Sequence, residues 1–268
     1  MEKDKQAGIT KLKLRLDAVR KTGNAENIKQ IEDMIAELGG ETDASETATD
    51  ASTKNTEGQD VAGKTDSKPP KKIPNAVLQL FIDESAKNVV NIAKPSDKIK
   101  NVDCDFVKGR KGMAISLNGM SSYLELPKSL SIKKNVTIML WVKLKRGRLN
   151  WIISEGENNK AISLAINDST FIYFLAGEQL TSKNPVEVDS WTHIAATWDG
   201  KTQIIYINGV ESNRVEKTSP TLNTPTNPLN VGREAYDKGR NYFGGLIEDL
   251  VVLDKALPAE EIKKFIEK

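Results

Sequence analysis

Residues 191–210 read WTHIAATWDGKTQIIYINGV, and two turn signals divide this stretch. Asp199-Gly200 and Asn208-Gly209 are residue pairs typical of tight hairpin turns, because Asp, Asn and Gly tolerate positive backbone φ angles better than other residues. Around the turns apolar residues alternate with polar ones, which is the period of a strand with one buried face. Together with the residues that follow, the stretch predicts a three-stranded antiparallel meander.

The stretch holds His193, the only histidine of the chain. Strand alternation places Trp191, His193, Ala195 and Thr197 on one face, and the more apolar Thr192, Ile194, Ala196 and Trp198 toward the core. Asp199 lies six residues beyond His193, which is well over ~15 Å along an extended strand. We therefore predict that His193 is a strand residue and Asp199 a turn residue, and that they do not form a catalytic pair.

Short segments of the same period fill residues 73–268, joined by turns rich in Gly, Asn and Asp. This pattern predicts an all-β domain built as a two-sheet antiparallel sandwich. The predicted strands include MAISLN, YLELP, NVTIMLWVKLK, LNWIISE, AISLAIN, TFIYFLAG, NPLNVGR and GGLIEDLVVLD. One helix is predicted after Pro258, with Ile262, Phe265 and Ile266 on one face.

Residues 1–40 show a helical period instead. Two apolar stripes are separated by KTGNAEN, which predicts a helical hairpin; they are Ile9, Leu12, Leu16 and Val19, then Ile28, Ile31, Ile35 and Leu38. The first helix is basic and the second acidic. Helices this short are marginal alone, so the hairpin favours homo-oligomerisation or docking through residues 9–38; the alternative is a solvated remainder of a longer chain. Residues 41–72 are polar and predict a disordered linker.

Composition narrows the function classes. The formal net charge is +2, from 39 basic and 37 acidic residues, so nucleic acid is not expected as a partner. The single cysteine, Cys104, predicts a structural thiol and excludes an intramolecular disulfide. No apolar run approaches the ~20 residues of a membrane span, and the first residues lack the apolar segment of a signal peptide, so none is expected.

Several ordered motifs resemble those of one family. They are AVLQLFIDESAKNVVN, GRKGMAISLNGMSSYLELPKS, NVTIMLWVKL, WTHIAATWDGKTQIIYINGV, NPLNVGR and YFGGLIEDLVVLDKALPAEEI. In this order they resemble a LamG-like jelly-roll domain of the concanavalin A-like lectin/glucanase group, over residues ~76–263. The resemblance implies a jelly-roll fold and a binding or adhesion module, with an extracellular or cell-surface location.

Related domains often hold calcium, so the resemblance also implies a metal site. Calcium takes six to eight oxygen ligands. The candidates at the matching positions are Asp83, Glu84, Asn118, Glu248 and Asp249. Asn118 stands where the family often has aspartate, which removes one charged ligand.

Catalysis is not expected. Glycosidases of this fold carry carboxylates in the pattern Glu-x-Asp-x-x-Glu, because an acid and a nucleophile must face the same bond, and no such run occurs. Glu155 and Glu157 have the right i, i+2 spacing but stand at a strand end, and Glu187 and Asp189 lie outside a core strand. No nucleophile elbow, phosphate loop or histidine metal pair is present.

A recognition site is expected where aromatic side chains stand near loops, because sugars bind aromatic faces together with planar polar groups. Trp141 and Trp198 are predicted to be structural. The loop REAYDKGRNYFGG is the best candidate, although it could equally pack over the edge of the sandwich. The predicted ligand-binding residues are Trp151, Arg233, Tyr236, Asp237, Arg240, Asn241 and Tyr242, with Phe243 considered beside them.

Two functions stay open at this point. In the first, the domain binds a glycan and the hairpin multimerises it to gain avidity. In the second, the domain is a protein–protein or structural module of a surface assembly. A glycoside hydrolase is a lesser alternative. The expected partner is therefore a glycan or a surface protein.

Overall fold

The computed structural model describes residues 69–83, 88–130, 132, 134–145, 149–156, 161–216, 225, 227–235 and 241–267, with six positions between 6 and 35. The chain divides into two compact units, Met1–Gly63 and Lys64–Lys268. In the first unit the six described positions are helical, and Leu16 and Ile35 among them are buried. Most of the predicted hairpin and linker lies outside the described residues, so both stay predictions.

The second unit is an all-β sandwich, as the sequence predicts. Its strands are β1 (Ala76–Asp83), β2 (Asn88–Asn91), β3 (Lys100–Val102), β4 (Asp105–Lys108), β5 (Met113–Asn118), β6 (Tyr123–Glu125), β7 (Val136–Leu144), β8 (Asn150–Ser154), β9 (Ile162–Asn167), β10 (Thr170–Leu175), β11 (Glu178–Thr181), β12 (Trp191–Trp198), β13 (Thr202–Ile207), β14 (Val210–Glu216), β15 (Asn230–Val231) and β16 (Gly244–Leu253). One helix follows, α1 (Ala259–Glu267).

In this part of the chain the strands form two sheets, which we call the larger and the smaller sheet. The larger sheet has nine strands in the order β14-β13-β12-β7-β16-β1-β2, with β5 beside β16 and β4 beside β5. The smaller sheet has seven strands in the order β11-β10-β9-β8-β15-β6-β3. All pairings between these strands are antiparallel.

The hydrophobic core lies between the two sheets, where inward-facing side chains from both are shielded from water. Phe171 and Tyr173 of the smaller sheet are fully buried there, facing residues such as Ile194, Ala196 and Trp198 of β12. Burial of aliphatic and aromatic area on this scale is the main favourable term in the folding of such a domain. Cys104 is also buried and unpaired, which confirms the predicted structural thiol.

The predicted meander is confirmed as β12, β13 and β14. Gly200 (φ 93°), Asn208 (φ 50°) and Gly209 (φ 75°) take the positive angles that the two turns require. The Asp199 side chain accepts hydrogen bonds from the backbone N–H groups of Lys201 and Thr202. Asp199 is thus a turn-forming residue, as predicted.

Helix α1 covers part of the outer face of the larger sheet. Ile262 is fully buried in a second apolar cluster with Met139, Ala195 and Tyr206. The helix also packs on the β13–β14 turn, where a Cβ on Gly209 would lie 2.8 Å from the Ile266 side chain. The chain needs glycine at this turn for its positive φ and for this close approach.

Strand β16 changes its neighbour partway along its length. Gly244–Ile247 pair with β5, and Val251–Leu253 pair with β1, while β7 follows β16 on the other side. The register with β7 shifts between Glu248 and Val251, and Asp249 there has a φ of 55°. A bulge of this kind bends a strand and re-aims its side chains. It opens a cleft of about 240 Å³ between β1 and β5.

Candidate functional site

Four aromatic side chains form a row across the outer face of the smaller sheet, which we call the aromatic row: Tyr123, Tyr242, Trp151 and Phe174. The rings of Tyr123 and Tyr242 are 6.4 Å apart, and those of Trp151 and Phe174 are stacked at 5.1 Å. Trp151 and Tyr242 are joined by a backbone bridge. Three strands and one loop therefore contribute aromatic side chains to the same face of the sheet.

Strand alternation explains why these rings face outward. Leu124 and Tyr173 point into the core, so their chain neighbours Tyr123 and Phe174 point to the opposite face. Trp151 and Phe174 belong to a small apolar cluster that is separate from the core. Tyr123 and Phe174 were missed in the site prediction, although the period-two pattern of YLELP and TFIYFLAG was sufficient to place them outside.

Arg233 is held beside the row. Its guanidinium carbon lies 3.5 Å from the centre of the Tyr123 ring. Its Nε donates to Asn230 at 2.9 Å and an Nη donates to Glu125 at 3.1 Å. Arg233 is only 6% exposed. With one ring face and two acceptors engaged, Arg233 positions Tyr123 and Glu125 and is less free to contact a ligand than its sequence position indicated.

Trp151 is also more enclosed than expected. Its side chain is 3% exposed, and its Nε1 is buried with no hydrogen-bond partner among the described residues. The tryptophan therefore supports the row from within, while the half-buried Tyr123, Tyr242 and Phe174 present the accessible surface. Phe243 is fully buried in the core, so its consideration as a ligand residue was wrong.

Asn241 and Tyr242 lie at the centre of the row. The Asn241 carbonyl accepts from the backbone N–H of Trp151 at 3.1 Å, and its side-chain amide donates to Glu234 at 3.1 Å. Asn241 has a φ of 57°, which asparagine tolerates better than most residues. Tyr236, Asp237 and Arg240 lie outside the described residues, so their predicted role stays a prediction.

Two of the predicted calcium residues, Asn118 and Glu248, already accept hydrogen bonds from backbone N–H groups. The Asn118 side-chain oxygen accepts from three backbone N–H groups, at Met120, Ser121 and Ser122. Glu248 and Asp249 line the cleft between β1 and β5, and Asp83 ends β1. Glu84 lies outside the described residues. Across the described ranges no group of three or more His, Cys, Asp or Glu side chains is placed to hold a metal ion, and calcium binding stays a prediction.

Glu248 holds the turn that leads into β5. Its carboxylate is 3% exposed and accepts hydrogen bonds from the backbone N–H groups of Arg110, Lys111 and Gly112 at 2.5, 3.0 and 3.0 Å. Three converging N–H groups compensate the cost of burying a charge. Gly109 is required beside it, because a Cβ there would overlap the Glu248 carboxylate.

Glu155, directly after β8, is the second buried carboxyl group in the described part of the chain. It is 2% exposed and accepts a hydrogen bond from the backbone N–H of Leu130 at 2.5 Å. Burial raises its pKa from 4.5 to about 7, against the lowering effect of hydrogen bonds from Leu130 and Ser129. This carboxyl fixes the segment around Leu130, and its predicted partner Glu157 lies outside the described residues.

Glu155 should make stability depend on pH. Because the folded pKa is raised, the folded state binds the proton more tightly, so the stabilisation is complete below about pH 4.5 and is lost as pH rises through about 7. Glu155→Gln keeps the acceptor for Leu130 but does not titrate. As the pH rises from 4.5 to 8, we expect the free energy of unfolding of the variant to increase by about 2–3 kcal/mol relative to that of wild type. Urea unfolding at each pH measures this difference. A pH-independent difference between the two proteins would contradict this.

His193 has a structural role, as predicted. Its backbone N–H donates to the Asn208 side chain at 2.9 Å, and its ring packs edge-on against Trp141 with centroids 5.3 Å apart. Burial, together with the positive charge of Arg110, lowers the pKa of His193 to about 4. No described carboxylate hydrogen-bonds the ring.

Comparisons with known proteins agree with this architecture. The family model described as the concanavalin A-like lectin/glucanases superfamily matches residues 118–263, which is more than half of the 268-residue chain. No curated protein sequence matches the chain. No helix in the described part of the chain is long and apolar enough to cross a membrane.

Among solved structures, the chain resembles binding domains of clostridial toxins. The binding domain of Paraclostridial Mosquitocidal Protein 1 is 16% identical, with a TM-score of 0.56, and the match covers 72% of this chain and 52% of that one. The binding domain of botulinum neurotoxin DC, solved with rat synaptotagmin II, is 12% identical with a TM-score of 0.59, covering 72% and 51%. The serotype G binding domain is 16% identical at 0.58, covering 72% and 51%. The chain thus spans about half the length of these domains, and at this identity they share its fold.

Proposed function

Because this chain belongs to the concanavalin A-like lectin/glucanase superfamily, we propose that it is a non-catalytic binding module whose ligand is a glycan, bound at the aromatic row on the outer face of the smaller sheet. The observation that carries this proposal is the row itself. Three half-buried rings lie in one surface with the polar groups of Glu125, Glu234 and Asn241 at its border.

The chemistry of the row suits a sugar. Aromatic faces bury the apolar C–H face of a pyranose ring, and neighbouring carboxylates and amides accept or donate hydrogen bonds to its hydroxyl groups. The rings are already supported, since Tyr123 is held by Arg233 and Phe174 by Trp151. Binding to a supported surface loses less conformational entropy than binding to a mobile one.

A catalytic role is disfavoured by the same geometry. A retaining glycosidase needs two carboxyl groups about 5 Å apart on either side of the scissile bond. Glu155 is buried and hydrogen-bonded to the backbone of Leu130, so it is not presented to a substrate. Glu187 and Asp189 precede β12 on an exposed segment.

The second candidate is a protein partner. One solved structure of similar fold was determined with rat synaptotagmin II, a protein, and aromatic residues are enriched at protein interfaces. In either case we place the domain outside the cell or on its surface, as the family resemblance implies, and assign residues 9–38 to self-association that raises avidity.

A glycan array probed with the full chain separates the two candidates. We expect saturable binding to a subset of glycans, tested in parallel with EDTA. Binding that EDTA abolishes would add the predicted calcium site to the mechanism, and binding that EDTA leaves intact would show that the glycan needs no divalent cation. If the chain binds no glycan on a broad array, and circular dichroism shows that it is folded, the protein partner is favoured.

A further inference from the structure

An arginine without an ionic partner lies on the outer face of the larger sheet. The Arg110 guanidinium carbon is 4.0 Å from the centre of the Trp141 ring. Its Nε is buried with no hydrogen-bond partner, and no described carboxylate forms an ion pair with it. Arginine is seldom buried unpaired, because its donors lose hydration without replacement.

His193 borders the same ring from the next strand. It lies opposite Trp141 in the pairing of β12 with β7, is 3% exposed, and its Nδ1 is buried without a partner. The charge of Arg110 contributes to the lowered pKa of His193, which places the two side chains within electrostatic range. Two buried nitrogen atoms therefore border one tryptophan ring, and each lacks a hydrogen-bond partner.

The positive charge of Arg110 is compensated only in part. Asp249 is within electrostatic range of Arg110, but no ion pair joins the two side chains. Glu248 lies opposite Trp141 on β16, but its carboxylate is occupied by the backbone N–H groups of residues 110–112. Lys143 lies two residues along β7, on the same face as Trp141. An acidic group of a ligand would meet the cations Arg110 and Lys143 here, with the carboxylates of Glu248 and Asp249 beside them.

We propose that Arg110, Trp141 and His193 form a second binding site, which takes an oxyanion such as the carboxylate or sulfate group of a ligand. The anion oxygen accepts from Arg110 Nε–H and from His193 Nδ1–H, and the guanidinium stays on the Trp141 ring. Charge-assisted hydrogen bonds from two otherwise unpaired donors supply the affinity.

This site is independent of the aromatic row, which lies on the other sheet. A ligand with both a neutral ring and an acidic group could use either site separately. Failure of glycan binding at the row would leave the oxyanion site untouched, and the reverse also holds.

The single histidine gives a direct probe. The full chain contains one imidazole, so its NMR signals belong to His193 without assignment. Sodium sulfate and sodium acetate are titrated at constant ionic strength against sodium chloride. We expect a saturable shift of the imidazole signals with sulfate or acetate, a higher apparent pKa of His193 at saturation, and no saturable shift with chloride. A larger affinity for sulfate or for acetate identifies which oxyanion the site prefers.

Two variants separate this site from general salt effects. Arg110→Gln should abolish the saturable shift, whereas Arg214→Gln, which removes an exposed arginine paired with Glu211, should leave it unchanged. His193→Phe keeps the ring contact with Trp141 and lacks Nδ1; its melting temperature should lose the increase that sulfate gives to wild type. A linear, unsaturable shift in wild type, or an equal shift in Arg110→Gln, would overturn the proposal and leave a trapped water as the partner of both nitrogens.

Discussion

Glu248→Ala should lower the free energy of unfolding by about 4 kcal/mol, because three partly buried N–H groups lose the carboxylate that accepts from them and the packing of a buried side chain is lost with it. The donors are the backbone N–H groups of Arg110, Lys111 and Gly112, and the alanine side chain offers nothing in place of the carboxylate. Without these hydrogen bonds, the turn before β5 should become more mobile. Urea unfolding followed by tryptophan fluorescence measures the loss.

The matched control is Glu211→Ala, which removes an exposed glutamate that pairs with Arg214 on β14. Surface ion pairs contribute about 0–1 kcal/mol, so this variant should stay close to wild type. Glu248→Gln keeps one acceptor oxygen and should lose about half as much as the alanine variant. Equal midpoints for Glu248→Ala and Glu211→Ala would show that Glu248 does not anchor the turn.

Gly245→Ala should also cost about 4 kcal/mol, for two combined reasons. Gly245 has a φ of 155°, a backbone conformation that other residues rarely adopt. A Cβ at this position would overlap the backbone carbonyl oxygen of Lys143 in the neighbouring strand β7. Neither strand can move away without breaking the pairing at the centre of the larger sheet.

Gly177→Ala is the control that measures the cost of the positive φ angle without any Cβ overlap. Gly177 has a φ of 86° in the β10–β11 turn, and a Cβ there would meet nothing within 4 Å. We expect a loss of about 1 kcal/mol, measured by the same urea unfolding. A loss for Gly245→Ala as small as that for Gly177→Ala would mean that β7 and β16 are not packed as closely as described.

The sandwich could be predicted from sequence because its signals are local. The Asp199-Gly200 and Asn208-Gly209 turns and the alternation of 191–198 determine a meander without reference to the rest of the chain. The core side of β12 followed from the same alternation, and Ile194, Ala196 and Trp198 lie there. The family match over residues 118–263 confirms the resemblance that the ordered motifs carried.

The candidate site was predicted less completely, because it depends on contacts between distant segments. Tyr123 and Tyr242 are far apart in sequence, and only the order of strands β6, β15 and β8 brings them together. Exposure of Trp151 could not be judged from its position near a loop, and the residue is buried. Arg233 resembled a ligand contact in sequence, but Asn230 and Glu125 occupy its donors.

Glu248 illustrates the same limit for charged residues. The resemblance to LamG-like domains made Glu248, in GLIEDL, a candidate calcium ligand, since calcium takes carboxylate oxygens. Its engagement with residues 110–112 arises from a contact across 136–138 sequence positions. No local pattern in either segment indicates that contact.

The affinity of Tyr242→Ala for a glycan identified on the array decides whether the aromatic row is the binding surface. The matched control is Trp191→Ala, which removes a half-buried aromatic residue from the larger sheet. Loss of one stacking ring should weaken binding about 10-fold or more, equivalent to ~1.4 kcal/mol, while Trp191→Ala should bind like wild type by isothermal titration calorimetry. Unchanged affinity in a folded Tyr242→Ala protein, or an equal loss in both variants, would contradict glycan binding at the row.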